Sequence, residues 1–405
     1  MKRVIAFILA ASLVFCFAAC NKNNDNPVNP PANSEEPQVD SSVYAAERTM
    51  NLSEGVKFTD NLNNTYYKLT NDKKLNVAYI GGSVTAGTGG TDGYCWRSAT
   101  TDWFKEKFPD AEITETNSSW GGTGSYWGFF RADEMLTQGN PDLVFIEFAI
   151  NDAYAGHNEI QSALYMEGLV RKIRDYNSKC DIIIVLVTDN SPAKRLGTEY
   201  EQLLAHKTVA THYGIPTINV GFALVEAMKR TGNPWEFYVA DVVHPNNKGY
   251  KVYADCVAKF LEGKLIAGPD KSGIEEHAKP SGDLVSNLSV ASEIVKAESL
   301  QNYSGFKLIN SKDNAVSHIG KTLYGKEGSV IEFEFEGRGL GMLTDAEAIP
   351  YINITLNGTD LGEMKLTDAA SEVPLLDNLK YGKYSVKITV TKGSKIIIGG
   401  FLVAK

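Results

Sequence analysis

Four short segments of the chain carry side chains that could do chemistry together. In the first, Val77-Ala78-Tyr79-Ile80 runs into Gly81-Gly82-Ser83-Val84-Thr85-Ala86-Gly87. Glycines after an apolar strand allow a tight turn and close backbone approach, which exposes the Ser83 hydroxyl at a strand end. The same serine could instead cap the next helix or sit in a phosphate-binding loop, although a P-loop lysine is missing. The second segment is Asp241-Val242-Val243-His244-Pro245-Asn246-Asn247-Lys248-Gly249-Tyr250. A serine hydroxyl needs a base to become a nucleophile, and a histidine needs a carboxylate to fix its tautomer. Asp241 and His244 can supply both from one loop, or the pair can cap the helix that follows. The third, Phe148-Ala149-Ile150-Asn151-Asp152, puts two polar residues straight after a buried strand. The Asn151 amide can donate there to an oxyanion, or Asn-Asp can simply turn the chain. The fourth is Asn117-Ser118-Ser119-Trp120-Gly121-Gly122-Thr123-Gly124-Ser125. Gly122 has no side chain, so its N–H can approach a ligand oxygen closely; a flexible loop is the alternative.

Strands must end where these segments begin. From Leu75 to about Leu265 short apolar runs alternate with longer amphipathic ones. The candidate strands are Leu75–Ile80, Ile113–Thr116, Leu143–Ala149, Ile182–Thr188 and Thr217–Val220, with helices near 98–108, 128–137, 160–177, 199–213 and 247–262. Leu62, Tyr66 and Leu69 have the spacing of a further short helix. The run Ile182-Ile183-Ile184-Val185-Leu186-Val187 suits a strand buried on both faces, and the alternation predicts an α/β fold, a parallel sheet flanked by helices. Chemistry in such sheets sits beyond the carboxyl ends of the strands, where all four segments fall.

Taken in order, Ser83, Gly122, Asn151 and His244 resemble the motif residues of the SGNH (GDSL-like) hydrolase family, in its carbohydrate-esterase-like branch. The resemblance covers roughly 72–265 and is most specific at Asp241-x-x-His244-Pro245. It implies a flavodoxin-like three-layer sandwich with Ser83 as nucleophile, His244 as general base and Asp241 orienting it. It also implies an oxyanion hole made by the Ser83 N–H, the Gly122 N–H and the Asn151 side chain. The family's name motif has Asp before the serine and Leu after it, where this chain has Gly82 and Val84; Ala149 stands where its third block usually has Gly. The implied reaction is attack of Ser83 on an ester carbonyl and hydrolysis of the acyl-enzyme by water, with no metal or organic cofactor.

Trp96, Trp120, Tyr126 and Trp127 cluster in sequence around these segments, and aromatic faces suit sugar rings as well as they suit cores. Trp120, beside Gly121 and Gly122, is the expected substrate contact, with Asp152 as a second substrate-binding residue. His206 and His212 do not share a helical face, so no metal site is expected. Cys95, Cys180 and Cys256 allow either a single disulfide or three thiols.

The chain ends differ in character. Lys2 and Arg3 precede an apolar run from Val4 to Ala19, broken by Ser12 and closed by Phe17-Ala18-Ala19-Cys20. The run is shorter than the roughly 20 residues of a membrane-crossing helix. It resembles a bacterial lipoprotein signal over 1–20, which implies acylation of Cys20 and an exported protein anchored to a membrane; plain secretion is the alternative. Residues 21–40 hold six Asn and four Pro and little that is apolar, which predicts a flexible tether over 21–50. The catalytic domain is placed at 51–265 and a linker at 266–284, on Gly268-Pro269 and Lys279-Pro280-Ser281-Gly282. Over 285–405 the period becomes two: Ile331, Phe333 and Phe335, then Ile352, Ile354 and Leu356 before Asn357-Gly358, then Val386, Ile388 and Val390. This predicts an all-β sandwich of jelly-roll type.

Of 405 residues, 43% are hydrophobic, and 40 basic residues face 49 acidic ones for a net charge of -9. With no Lys/Arg run in the folded part, a nucleic-acid partner is not expected. The functional expectation is an exported serine esterase that removes small acyl groups such as acetyl from a carbohydrate. A lysophospholipase or thioesterase would need a long apolar acyl channel, and a silent sugar-binding lipoprotein would not need Ser83, Asp241 and His244.

Overall fold

The computed structural model describes residues 41–53, 55–56, 62–191, 195–269, 273–310, 320–345, 350–366, 372–393 and 395–405. The signal at 1–20 and the tether as far as residue 40 lie outside the described residues.

In the first half, strands β1 (Lys74–Gly81), β2 (Glu112–Ser119), β3 (Leu143–Glu147), β4 (Asp181–Leu186) and β5 (Thr217–Asn219) form a parallel sheet in the order β2-β1-β3-β4-β5. Every residue of β3 and β4 is buried, which is why both read as continuous apolar runs, whereas β2 at the sheet edge carries Glu112 and Glu115 among half-exposed positions. The helices are α1 (Asn63–Tyr67), α2 (Ser83–Ala86), α3 (Trp96–Lys107), α4 (Ser125–Gly139), α5 (Ala149–Ala155), α6 (Glu159–Tyr176), α7 (Glu201–His212), α8 (Val220–Thr231), α9 (Trp235–Tyr238) and α10 (Asn247–Glu262). Helices α3, α10 and α8 cover one face of the sheet, and α4, α6 and α7 the other. The strand order turns back between β1 and β3, so a crevice opens at their carboxyl ends.

Two expectations shift. Strand β3 stops at Glu147 and Ala149 already belongs to α5, which places Asn151 and Asp152 in a helix and not in a turn. Strand β5 is short because Asn219 caps the unforeseen α8, accepting a hydrogen bond from the Phe222 N–H at 2.8 Å.

The second half is all-β. One antiparallel sheet runs β13 (Thr359–Lys365), β12 (Tyr351–Leu356), β15 (Gly382–Lys392), β10 (Val330–Gly337), β7 (Tyr303–Ser304). The other runs β14 (Glu372–Leu376), β11 (Gly339–Asp345), β16 (Ile396–Ala404), β9 (Lys321–Gly325), β8 (Lys307–Asn310), with β6 (Ser292–Lys296) also paired to β16. Asn357 and Gly358 join β12 to β13 with φ of 50° and 85°, the left-handed pair that a two-residue hairpin requires.

Where they are described, the expected tether and linker make contacts with the folded body. Tyr44 pairs with Leu379 and Met50 with Val285, and Arg48 binds Asp377 at 2.6 Å, so residues 44–50 are docked. At the end of the linker and the start of the next segment, the Leu284 and Val285 N–H groups donate to the buried Glu167 carboxylate at 2.6 and 2.7 Å, and within the linker His277 binds Asp181 at 2.9 Å. The two halves also share a core: Leu343, Ile397 and Leu402 of the sandwich pack into the cluster formed by the α/β half.

Candidate active site

Strand β1 ends in Gly81, and the chain reverses at once into α2. Gly82 occupies the N-cap position and Ser83 is the first helical residue, with no side-chain capping bond. The Ser83 hydroxyl is therefore not a cap. Its Oγ lies 2.8 Å from His244 Nε2, and His244 Nδ1 lies 2.7 Å from Asp241 Oδ2. The alternative use of the Asp241–His244 pair is excluded likewise, because Asn246 caps α10, accepting from the Lys248 and Gly249 N–H groups. The 239–245 loop is closed by the Val239–Pro245 bridge and held by the Trp235 indole N–H, which donates to the Asp241 carbonyl at 2.7 Å. Tyr250 donates to the Thr88 carbonyl at 2.7 Å and so ties α10 to the loop after Ser83.

Asp241 Oδ1 accepts hydrogen bonds from the Val243 and His244 N–H groups, both at 2.8 Å. Burial by itself would raise the pKa of this carboxyl, but those bonds and the imidazole outweigh it and hold it below the usual range. An ionised Asp241 keeps a proton on Nδ1, leaving Nε2 able to accept one from Ser83.

Ser83, His244, Gly122 and Asn151 line one cavity of about 420 Å³, together with Thr88, Ile150, Tyr154, Val243 and Glu372. Gly122 has φ of 73°, and a Cβ there would meet nothing within 4 Å, so glycine is needed for its left-handed backbone and not for lack of room. At Gly82 the reverse holds: an added Cβ would lie 2.7 Å from Asn151 Cγ. The position that carries Asp in the family's name motif is glycine here because the Asn151 amide packs against it.

Neither expected substrate contact lines that cavity. Asp152 is 0% exposed. It accepts bonds from the Ser125 N–H at 2.7 Å and the Ser125 hydroxyl at 2.6 Å, and pairs with His206 Nε2 at 2.9 Å. Burial would raise its pKa, yet the imidazoles of His157 and His206 more than offset that and hold it well below the carboxylate range. It braces α4 and α5 and does not reach the cavity. Trp120 packs beside the Arg131 guanidinium at 5.0 Å and Trp127 at 5.7 Å, and lines a separate groove with Ser292, Ile294 and Lys296. Trp96, Tyr126 and Trp127 are core residues. Cys95, Cys180 and Cys256 are free thiols.

Three residues of the site escaped the sequence reading. Tyr154 is the exposed aromatic on the cavity wall, fixed by its hydroxyl bond to Asp189 at 2.7 Å and by the Arg195 guanidinium 4.9 Å from its ring. Glu147, fully buried at the end of β3, accepts from Thr85 Oγ1 at 2.8 Å, and burial pushes its pKa up to about 7. A carboxylate inside the apolar run Leu143–Ala149 was its signal. Glu372 had none: it comes from the sandwich.

Residues 79–252 match the GDSL-like lipase/acylhydrolase family. No curated protein matches by sequence. Among solved structures, the chain is similar to a two-domain esterase (CEX) active on acetylated mannans, co-crystallised with mannopentaose, at a TM-score of 0.71 and 21% identity over 88% of this chain and 98% of the other. The same esterase without that ligand matches at the same score, over 99% of its length. At this identity the likeness establishes a shared two-domain fold. The segment of the α/β half that gathers the serine, histidine and aspartate at the crevice is thus the segment that matches the GDSL-like lipase/acylhydrolase family of ester-hydrolysing enzymes.

Proposed function

We propose that the protein is a serine esterase that removes small acyl groups, acetyl above all, from carbohydrate through an acyl-enzyme on Ser83. The observation that carries this reading is the continuous hydrogen-bonded path from Asp241 through His244 to Ser83 at a cavity shared with Gly122 and Asn151. His244 Nε2 takes the Oγ proton as the oxygen attacks the ester carbonyl, and the resulting oxyanion accepts from the Ser83 N–H, the Gly122 N–H and the Asn151 amide. The imidazolium then protonates the departing sugar oxygen. Water, deprotonated by the same imidazole, hydrolyses the acyl-serine and releases the acid.

The small-acyl preference is supported by the short Gly-rich loops that carry Ser83 and Gly122 and by the likeness to an esterase active on acetylated mannans. The carbohydrate preference is supported by Tyr154 on the cavity wall and by the two-domain fold, which the acetylmannan esterase shares. Acetate release from a panel of acetylated glycans, lost in Ser83→Ala, tests the proposal; an enzyme that prefers octanoyl over acetyl esters would instead be a lipase or thioesterase. Export on a lipid anchor belongs to the same proposal and rests on the 1–20 signal. Labelling of the expressed protein with a radioactive fatty acid should disappear in Cys20→Ala, and labelling that persists would count against the anchor.

A further inference from the structure

The sandwich places a carboxylate inside the cavity of the α/β half. Glu372, the first residue of β14, is 1% exposed and lines the same cavity as Ser83, Gly122 and His244. Its Oε1 accepts a hydrogen bond from the Gly124 N–H at 2.5 Å. Gly124 is the N-cap of α4, and the next N–H, that of Ser125, donates to Asp152 at 2.7 Å. Two backbone N–H groups that a helix start leaves without intrahelical partners are thus taken by two buried carboxylates, one from each half of the chain, at the positive end of the helix dipole.

The same helix carries Arg131, 2% exposed, whose guanidinium holds the other side of the loop. It donates to the carbonyls of Gly81 at 2.9 Å and Ser118 at 3.2 Å and to Thr123 Oγ1 at 3.0 Å. Burial pushes its pKa down to about 9, and the Glu372 carboxylate acts against that shift. Residues 120–124, which contain the Gly122 N–H, are therefore held between Arg131 and Glu372. Since Gly122 has a left-handed backbone with no side chain to anchor it, its N–H direction depends on what fixes its neighbours.

We propose that Glu372 is a positioning residue for ester cleavage: the sandwich, through this carboxylate, fixes the loop that presents the Gly122 N–H to the oxyanion. The inference rests on the ester-cleaving reading of Ser83, Gly122 and Asn151. It gives the sandwich a part in catalysis beyond that of a spacer or a sugar-binding accessory.

The test uses the full chain and 4-nitrophenyl acetate, with Glu372→Ala, Glu372→Asp and Glu372→Gln. Misplacing an oxyanion donor by about an ångström should lower kcat by about 10- to 100-fold while KM stays within about threefold. Glutamine keeps an acceptor for Gly124 at the same reach and should retain kcat within about fivefold. Aspartate keeps the charge but falls short and should resemble alanine. A residue that merely stabilised the fold would move melting temperature and active fraction, so kcat is expressed per active site, titrated with a serine-directed phosphonate. Should alanine misfold, the contrast between aspartate and glutamine decides. Wild-type kcat in the alanine or aspartate variant, or a loss confined to KM, would overturn the inference alone. Wild-type protein without Ser83-dependent turnover would sink the ester-cleaving reading and this inference with it.

Discussion

The hydrogen bonds at Ser83 assign work that single substitutions can separate. On the proposed mechanism Ser83→Ala removes the attacking oxygen and His244→Ala the base, so each should lower kcat for 4-nitrophenyl acetate by at least about 10³-fold. Asn151→Ala should cost about 10²–10³-fold in kcat with little change in KM, because the amide meets charge that exists only in the transition state. A KM effect without a kcat effect would instead make Asn151 a substrate contact. Glu147 makes a different prediction. Its folded-state pKa of about 7 lies above the ordinary glutamate value, so the folded protein holds this proton more tightly than the unfolded chain does. Stability from this group is fully present below about pH 4 and is lost as pH rises through 7. Chemical denaturation of Glu147→Gln should remove that dependence, making the variant more favourable relative to wild type at pH 8 than at pH 5 by roughly 2–3 kcal/mol. An identical pH profile would show that Glu147 stays ionised.

At the scale of elements, the turn from β1 into α2 and the start of α5 are built against each other. The absence of a side chain at Gly82 is what lets the Asn151 amide lie beside the nucleophile. Gly82→Ala should therefore displace that amide and lower kcat by about tenfold or more, while far-ultraviolet circular dichroism stays that of the wild type. Unchanged kcat would mean that α5 can shift without loss. On the proposed mechanism, the departure from the family's name motif at Gly82 is what leaves room for an amide near the serine.

For the whole molecule, the decisive feature is the shared core. Leu343, Ile397 and Leu402 sit in the α/β cluster, residues 44–50 are docked, and Leu284 and Val285 bind Glu167. Burying apolar surface across the seam couples the two halves, since neither keeps its core intact when the other unfolds. Scanning calorimetry of the full chain should show a single transition whose calorimetric and van't Hoff enthalpies agree. Two resolved transitions would show that the halves are independent domains. The coupling also predicts that a chain cut before β6 will bind a hydrophobic dye strongly, and the lack of such binding would count against it.

Much of this protein is written locally. The Gly81-Gly82-Ser83 turn, the Asp241-x-x-His244 spacing, the Asn357-Gly358 hairpin and the change of hydrophobic period from helix–strand alternation to two are short-range patterns. They fix backbone geometry within a few residues, so they are legible without a fold. Helix α8 is not legible because its first residue reads as the end of the strand before it, and the aromatic cluster is ambiguous because a tryptophan next to a glycine loop can face either the cavity or Arg131. Asp152, Trp120 and Glu372 could be placed only by the folded chain. Whether a carboxylate is a buried brace or a cavity wall, and whether a sandwich strand reaches the nucleophile, depends on contacts between residues far apart in sequence. Such contacts leave no periodic trace along the chain; they come into being when two cores close on one another.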